Sequence, residues 1–131
     1  MPARTRPRGR AKFLWCYSSL QHGLAAHLRK KLQGQCDVSR GCALVQPQEE
    51  AGTVGEEERA DKKREAYKAL AEVKLQSTFC AEPPGDSISR KSIIDSMVLG
   101  CVPVLFEFQQ MDMYQAHFTK AEFASLSVLV P

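Results

Sequence analysis

The chain contains no run of about 18 apolar residues, so none of it reads as a transmembrane helix. It contains no internal repeat, which sets aside repeat architectures. Neither G-x-G-x-x-G nor a Walker sequence is present, so the two best-known glycine-rich phosphate fingerprints are excluded. There is no C-x-x-C pair. His22 and His27 stand five residues apart and do not share a helical face, so no zinc site is read. Charge of one sign is also scarce: 18 Lys and Arg oppose 15 Asp and Glu, a net charge of +3. That balance argues neither for nor against a nucleic-acid or membrane partner. Aromatic residues make up only 8 % of the chain, and none interleaves the arginines of residues 1–10. Arg4, Arg6, Arg8 and Arg10 therefore read as a basic disordered arm rather than a nucleic-acid-binding one. The apolar stretch Phe13–Tyr17 that follows is too short for the core of a signal peptide, so no secretion signal is read.

What is present is ordinary for a globular chain. Hydrophobic residues make up 44 % and charged residues 25 % of the 131 positions. That length allows one domain, or part of a larger one, and not two substantial domains with a site between them. The five cysteines (Cys16, Cys36, Cys42, Cys80 and Cys101) leave at least one thiol unpaired if all bonds are intramolecular.

Apolar periodicity predicts strands and helices in alternation. Ala11 to Tyr17 reads as a buried strand. Ser18 and Ser19 stand where an N-cap is expected, and leucines and alanines at helical spacing place a helix over Gln21 to Gln33. Arg29, Lys30 and Lys31 then fall in its last turn, with Gly34 as its stop. Cys36 and Cys42 bracket a polar turn before a short strand from Cys42 to Gln46. Pro47 to Gly55 is a polar loop. Glu56 to Gln76 carries the longest helical pattern, with Ala60, Tyr67, Leu70 and Ala71 on one face and a solvated charge mixture on the other. Ser77 to Ala81 is a third strand, and Ser89 to Leu99 a helix with Ile93, Ile94, Met97 and Val98 on its buried face. Gly100 ends that helix. Cys101 to Phe106 is almost wholly apolar, as in a sheet covered on both sides. Ala124 to Val130 is the last candidate strand. This order predicts an α/β fold on a parallel sheet.

The segment that carries chemistry runs from Ser77 to Phe106, a strand, a Pro/Gly loop, a helix and a strand. Such a loop lies at the carboxyl end of a strand, where open α/β sheets bind ligands. Gly85 lets backbone N–H groups approach an anion. Ser87 and Ser89 offer hydroxyl donors at a helix N-terminus, whose dipole favours phosphate. Arg90 adds a fork of donors suited to a diphosphate. Asp95, further along the helix, can accept from ribose hydroxyls. The plainer alternative is an ordinary strand–turn–helix with Ser87 as N-cap and Asp95 on a solvated face.

These residues closely resemble the hallmark of the exostosin-like glycosyltransferases, glycosyltransferase family 47, in its branch with the plant xyloglucan galactosyltransferases. That hallmark reads S-x-F-C-L-x-P-x-G-D-S-x-T-R-x-S-x-F-D-S-x-x-x-G-C-I-P-V. Ser77, Phe79, Cys80, Pro83, Gly85, Asp86, Ser87, Arg90, Ser92, Asp95, Ser96, Gly100, Cys101, Pro103 and Val104 agree with it. Arg29 to Cys36, followed by Cys42, is similar to the family's arginine-containing helix and its two cysteines. Tyr114 and His117 are similar to the tyrosine and histidine that follow the G-C-I-P-V strand. The resemblance covers residues 11–131, and is most specific over 76–106.

The resemblance implies a GT-B architecture of two Rossmann-like domains, of which this chain holds an incomplete C-terminal, donor-binding one. It implies inverting transfer from a nucleotide sugar, commonly a UDP-sugar, to a glycan or polysaccharide, with no bound metal and no other cofactor. It implies a Golgi membrane or lumenal location, with no membrane segment in this chain and no nucleic-acid partner. Gly85, Asp86, Ser87, Ser89 and Arg90 would then surround the diphosphate, and Asp95 the ribose or base. His117 is a candidate for the sugar site, against the plainer role of a surface histidine. No catalytic base is assigned. Cys36 and Cys42 are implied to pair in an oxidising lumen, or else stay free. Cys80 and Cys101, on buried strands, are expected to be inert thiols. Where the family has Leu-Gln the chain has Ala81-Glu82. A carboxylate there must be turned away or neutralised before an anion binds. The alternative function is a degenerate, non-catalytic fragment that serves at most as a binding or structural module.

Overall fold

Five strands, all parallel, form one sheet in the computed structural model, which describes residues 11–18, 25–45, 55–85 and 90–131. The elements in chain order are β1 (Phe13–Tyr17), α1 (Ala26–Val38), β2 (Cys42–Leu44), α2 (Glu56–Leu75) and β3 (Ser77–Ala81). They continue with α3 (Lys91–Val98), β4 (Val102–Leu105), α4 (Phe108–Asp112), α5 (Lys120–Leu126) and β5 (Val128–Leu129). The strand order is β2-β1-β3-β4-β5. The fold is therefore α/β on a parallel sheet, with α1 serving one face and the later helices the other.

Side-chain alternation along the strands explains that division. Tyr17 and Ala81, with Cys36 and Leu32 of α1, form a buried cluster on one face. Cys16, Cys80 and Cys101 point to the other face, with Val73 of α2 packed against them. On that side Leu105 joins Ile93 of α3, Tyr114 and Phe123 of α5 in a second cluster. The Tyr114 and Phe123 rings stack with centroids 5.3 Å apart. Trp15 aligns with Phe79 across β1 and β3, and Phe79 with Val102 across β3 and β4.

Several expectations are corrected. Gly34 does not stop the first helix. It is exposed, with open space around its Cα, and α1 runs on to Val38, so Arg29 to Lys31 lie in its early turns and Cys36 in its last. Ala25, not a serine, precedes that helix, with φ 57°. Ser19 and the start predicted at Gln21 lie outside the described residues, as do residues 1–10 and all of the predicted loop except Gly55. Ala60 and Tyr67 of α2 are exposed, and the helix packs chiefly through its last two turns, where Val73 and Lys74 meet the sheet. Val98 is 77 % exposed rather than buried. Its place inside α3 is taken by Ser96, for a reason given below.

The run from Ala124 to Val130 is not a strand throughout. Thr119 accepts from the Glu122 backbone while the Glu122 carboxylate accepts from the Thr119 N–H. That capping box starts α5 and leaves only Val128–Leu129 for β5. Cys80 and Cys101 are not thiols: a disulfide joins β3 to the residue before β4, with Cα atoms 5.9 Å apart. A second disulfide joins Cys36 to Cys42, and Cys16 stays a buried thiol. Gly100 adopts φ 76°, the left-handed conformation that turns the chain from α3 into β4.

Candidate functional site

The strand order fixes where a ligand crevice lies. The chain passes from β1 outward to β2, then returns past β1 to β3 and continues the other way. Connections on the two sides therefore diverge at the carboxyl ends of β1 and β3, the switch point at which open α/β sheets hold ligands. The segment from Glu82 to Arg90 leaves β3 at that point.

Glu82 is the first residue past β3, and its side chain is 3 % exposed. Its Oε1 accepts from Lys74 Nζ at 3.1 Å, from Ser92 Oγ at 2.9 Å and from Ser96 Oγ at 2.8 Å. Lys74, equally buried, also donates to the Ser92 carbonyl at 2.8 Å and to both serine hydroxyls. Each hydroxyl thus accepts from the ammonium and donates to the carboxylate. An unpaired buried charge is costly, and this arrangement supplies both the counter-charge and the hydrogen bonds that make burial tolerable. It also explains why Ser96 points inward on α3. Glu82 is therefore both turned away from solvent and neutralised.

The same segment is tied at two further places. Gln110 is fully buried, donates to the Glu82 carbonyl at 2.8 Å and accepts from the backbone N–H groups of Phe106 and Glu107. It joins the ends of β3 and β4. The Tyr114 hydroxyl accepts from the Arg90 N–H at 2.9 Å and donates to the Arg90 carbonyl at 2.7 Å. Burial, chiefly, holds the Tyr114 phenol above its ordinary value.

Arg90 stands at the N-cap position of α3 with extended backbone. Its Nη1 donates to the Pro83 carbonyl at 2.9 Å and lies 3.6 Å from Glu82 Oε2. A Cβ at Gly85 would meet Arg90 Cδ and Nε at 3.4 Å, so the guanidinium stem packs across Gly85. The structure brings Gly85 and Arg90 together at the mouth of the segment. Asp86, Ser87 and Ser89 lie outside the described residues. Asp95 is half-buried one turn into α3 and pairs with Lys91 at 3.2 Å. His117 is exposed in the turns after α4, and its N–H donates to the Tyr114 carbonyl.

Lys74, Ser92, Ser96 and Gln110 were not singled out as site residues from the sequence. Lys74 had a legible signal. It follows Leu70 and Ala71 by four and three residues, so it shares their face, and a lysine on an apolar stripe needs a partner. Gln110 lies in a stretch with no clear periodicity and offered none.

Comparison with known proteins decides the family. The Exostosin GT47 domain matches residues 2–131. The chain belongs to the exostosin GT47 family. Among curated relatives, it is 48 % identical over 58 residues to the probable xyloglucan galactosyltransferase GT19 of Arabidopsis thaliana, covering 44 % of this chain and 13 % of that protein. It is 35 % identical over 99 residues to the xyloglucan galactosyltransferase XLT2 of the same plant, covering 74 % of this chain and 17 % of that protein. A xyloglucan-specific galacturonosyltransferase, also from that plant, is 48 % identical over 50 residues, covering 38 % of this chain and 7 % of that protein. The chain thus matches less than a fifth of the length of each of these three relatives. No helix among the described residues is long and apolar enough to cross a membrane.

Proposed function

We propose that this chain carries the donor-binding part of an exostosin-like glycosyltransferase, and that residues 82–90 with the start of α3 receive the diphosphate of a nucleotide sugar. The observation that carries the reading is the segment at the β1/β3 switch point, where Glu82 is neutralised by Lys74 and Arg90 is held over Gly85. Two cations face one carboxylate there, so the described groups favour an anion. The guanidinium has five N–H donors, and Pro83 engages one nitrogen. Gly85, Asp86, Ser87, Ser89 and Arg90 line the diphosphate in this proposal, and Asp95 serves the ribose or base. His117 is the candidate polar group toward the sugar.

The donor is a UDP-sugar and the acceptor a glycan hydroxyl. This extends to the chain what the names of its relatives say of xyloglucan, galactose and galacturonate. Transfer inverts the anomeric centre. Arg90 and the α3 N-terminus stabilise the departing diphosphate without a metal ion. The compartment is an oxidising one, the Golgi lumen, which the two disulfides support.

Calorimetric titration of UDP into the full chain tests the reading. Binding is expected at millimolar UDP or below. Arg90→Ala is expected to weaken it by roughly tenfold to a hundredfold, the worth of a charge-assisted hydrogen bond. A folded chain that gives no heat at millimolar UDP overturns it. A second reading is a non-catalytic module that serves at most in binding or structure. Sugar transfer by the purified chain removes that second reading.

A further inference from the structure

Cys16, Cys80 and Cys101 lie together inside the sheet, each at most 2 % exposed, with their three Sγ atoms within 4.8 Å of one another. Nothing in the donor-site reading uses them. Cys80 and Cys101 are bonded, and Cys16 is a thiol whose Sγ lies 3.0 Å from Cys80 Sγ. Their order across the sheet is specific. Cys16 on β1 is the register partner of Cys80 on β3, and Cys101 immediately precedes β4 on the far side of β3. Cys80 is the middle sulfur. Nucleophile, attacked sulfur and leaving sulfur in that sequence is what thiol–disulfide exchange requires.

We propose that Cys16 exchanges with the Cys80–Cys101 disulfide, so that the sheet holds two disulfide isomers. The Cys16 sulfur, as thiolate, forms a bond to Cys80 Sγ. The Cys80–Cys101 bond breaks, and its electron pair leaves with Cys101 Sγ, which takes up the proton that Cys16 released. One thiol and one disulfide stand on each side, so the step needs neither oxidant nor reductant. The register meets the Cα spacing that the second isomer needs. Facing residues of neighbouring strands lie about 4.8 Å apart, within the Cα range of disulfides. Burial raises the Cys16 thiol above its ordinary value of 9.0 and slows the step, while the Ser77 hydrogen bond and the Lys74 ammonium oppose that rise. The exchange moves the covalent tie from β3–β4 to β1–β3, that is, onto the two strands that flank the switch point.

Disulfide mapping of the full chain tests this. The chain is quenched in acid, its free thiol is alkylated under denaturing conditions, and the label is located by peptide mass spectrometry, with Cys36–Cys42 as internal reference. The expected result is label divided between Cys16 and Cys101. Label confined to Cys16 overturns the proposal. In Cys101→Ser, oxidised in the folded state, a Cys16–Cys80 disulfide is expected, with loss of both alkylation adducts on those residues. Two free thiols in that folded variant overturn the proposal as well. Where Cys101→Ser does not fold, the wild-type label distribution decides.

Discussion

Lys74 and Glu82 depend on each other in a way that neither residue type suggests alone. Each helps to make the other tolerable in the interior, with Ser92 and Ser96 completing the hydrogen bonds and Arg90 Nη1 3.6 Å from the carboxylate. Glu82→Ala leaves a buried ammonium without its counter-charge and is expected to cost about 3–5 kcal/mol in urea unfolding. Replacing both, as Lys74→Met with Glu82→Gln, removes the two charges together and is expected to recover most of that loss. A double variant as unstable as Glu82→Ala would show that the pair is not coupled. The lysine on the facing helix is what makes glutamate acceptable here.

Among the elements, α5 shows how a short polar signal overrules an apolar one. Thr119→Ala removes the side chain that caps the Glu122 N–H, and is expected to destabilise the chain by about 1 kcal/mol, read as a lowered urea midpoint. An unchanged midpoint would mean that the packing of Phe123 alone holds the helix. The apolar run from Ala124 onward suggested a strand because it is short and mostly apolar. The Thr119-x-x-Glu122 spacing just before it is the stronger signal. The strands β1 and β4 were legible as apolar runs, β3 as a short run with Thr78 and Phe79 ahead of the Pro83-Pro84-Gly85 turn, and the helices α2 and α3 by their periodicity. The length of α1 was not. Gly34 sits on a solvated side, where a glycine costs a helix only about 1 kcal/mol, and the chain turns only after Cys36, which is bonded to Cys42 at the start of β2. Of the proposed site, Gly85 and Arg90 stand out in the sequence because their types suit an anion, and the structure packs the Arg90 stem across Gly85. The site was illegible in Gln110 and the two serines, whose roles arise from which strands lie side by side.

For the molecule as a whole, the titrating groups predict an asymmetric response to pH. The Cys16 thiol and the Tyr114 phenol both hold their protons more tightly when folded, chiefly through burial. Below their ordinary values of 9.0 and 10.0 both states are protonated, and these groups leave stability independent of pH. Above those values the unfolded chain releases protons that the folded chain keeps. Stability therefore falls as pH rises, first through Cys16 and then also through Tyr114. Denaturation midpoints measured between about pH 8 and about pH 11 check this. Cys16→Ser is expected to delay the onset, and a midpoint unchanged over that range in the parent chain would refute the assignment.

The sheet also has a consequence for self-association. On the face served by α1, Trp15, Phe79, Val104 and Phe106 line a shallow apolar groove and stay half-buried. Exposed backbone along a sheet margin is what templates stacking into fibrils. Here, among the described residues, the margins are β2, three residues long, and β5, two residues long. So few unpaired N–H and C=O groups give an incoming strand little to zip against. Among the described residues, then, the sheet offers apolar side chains on its face far more than unpaired backbone at its margins.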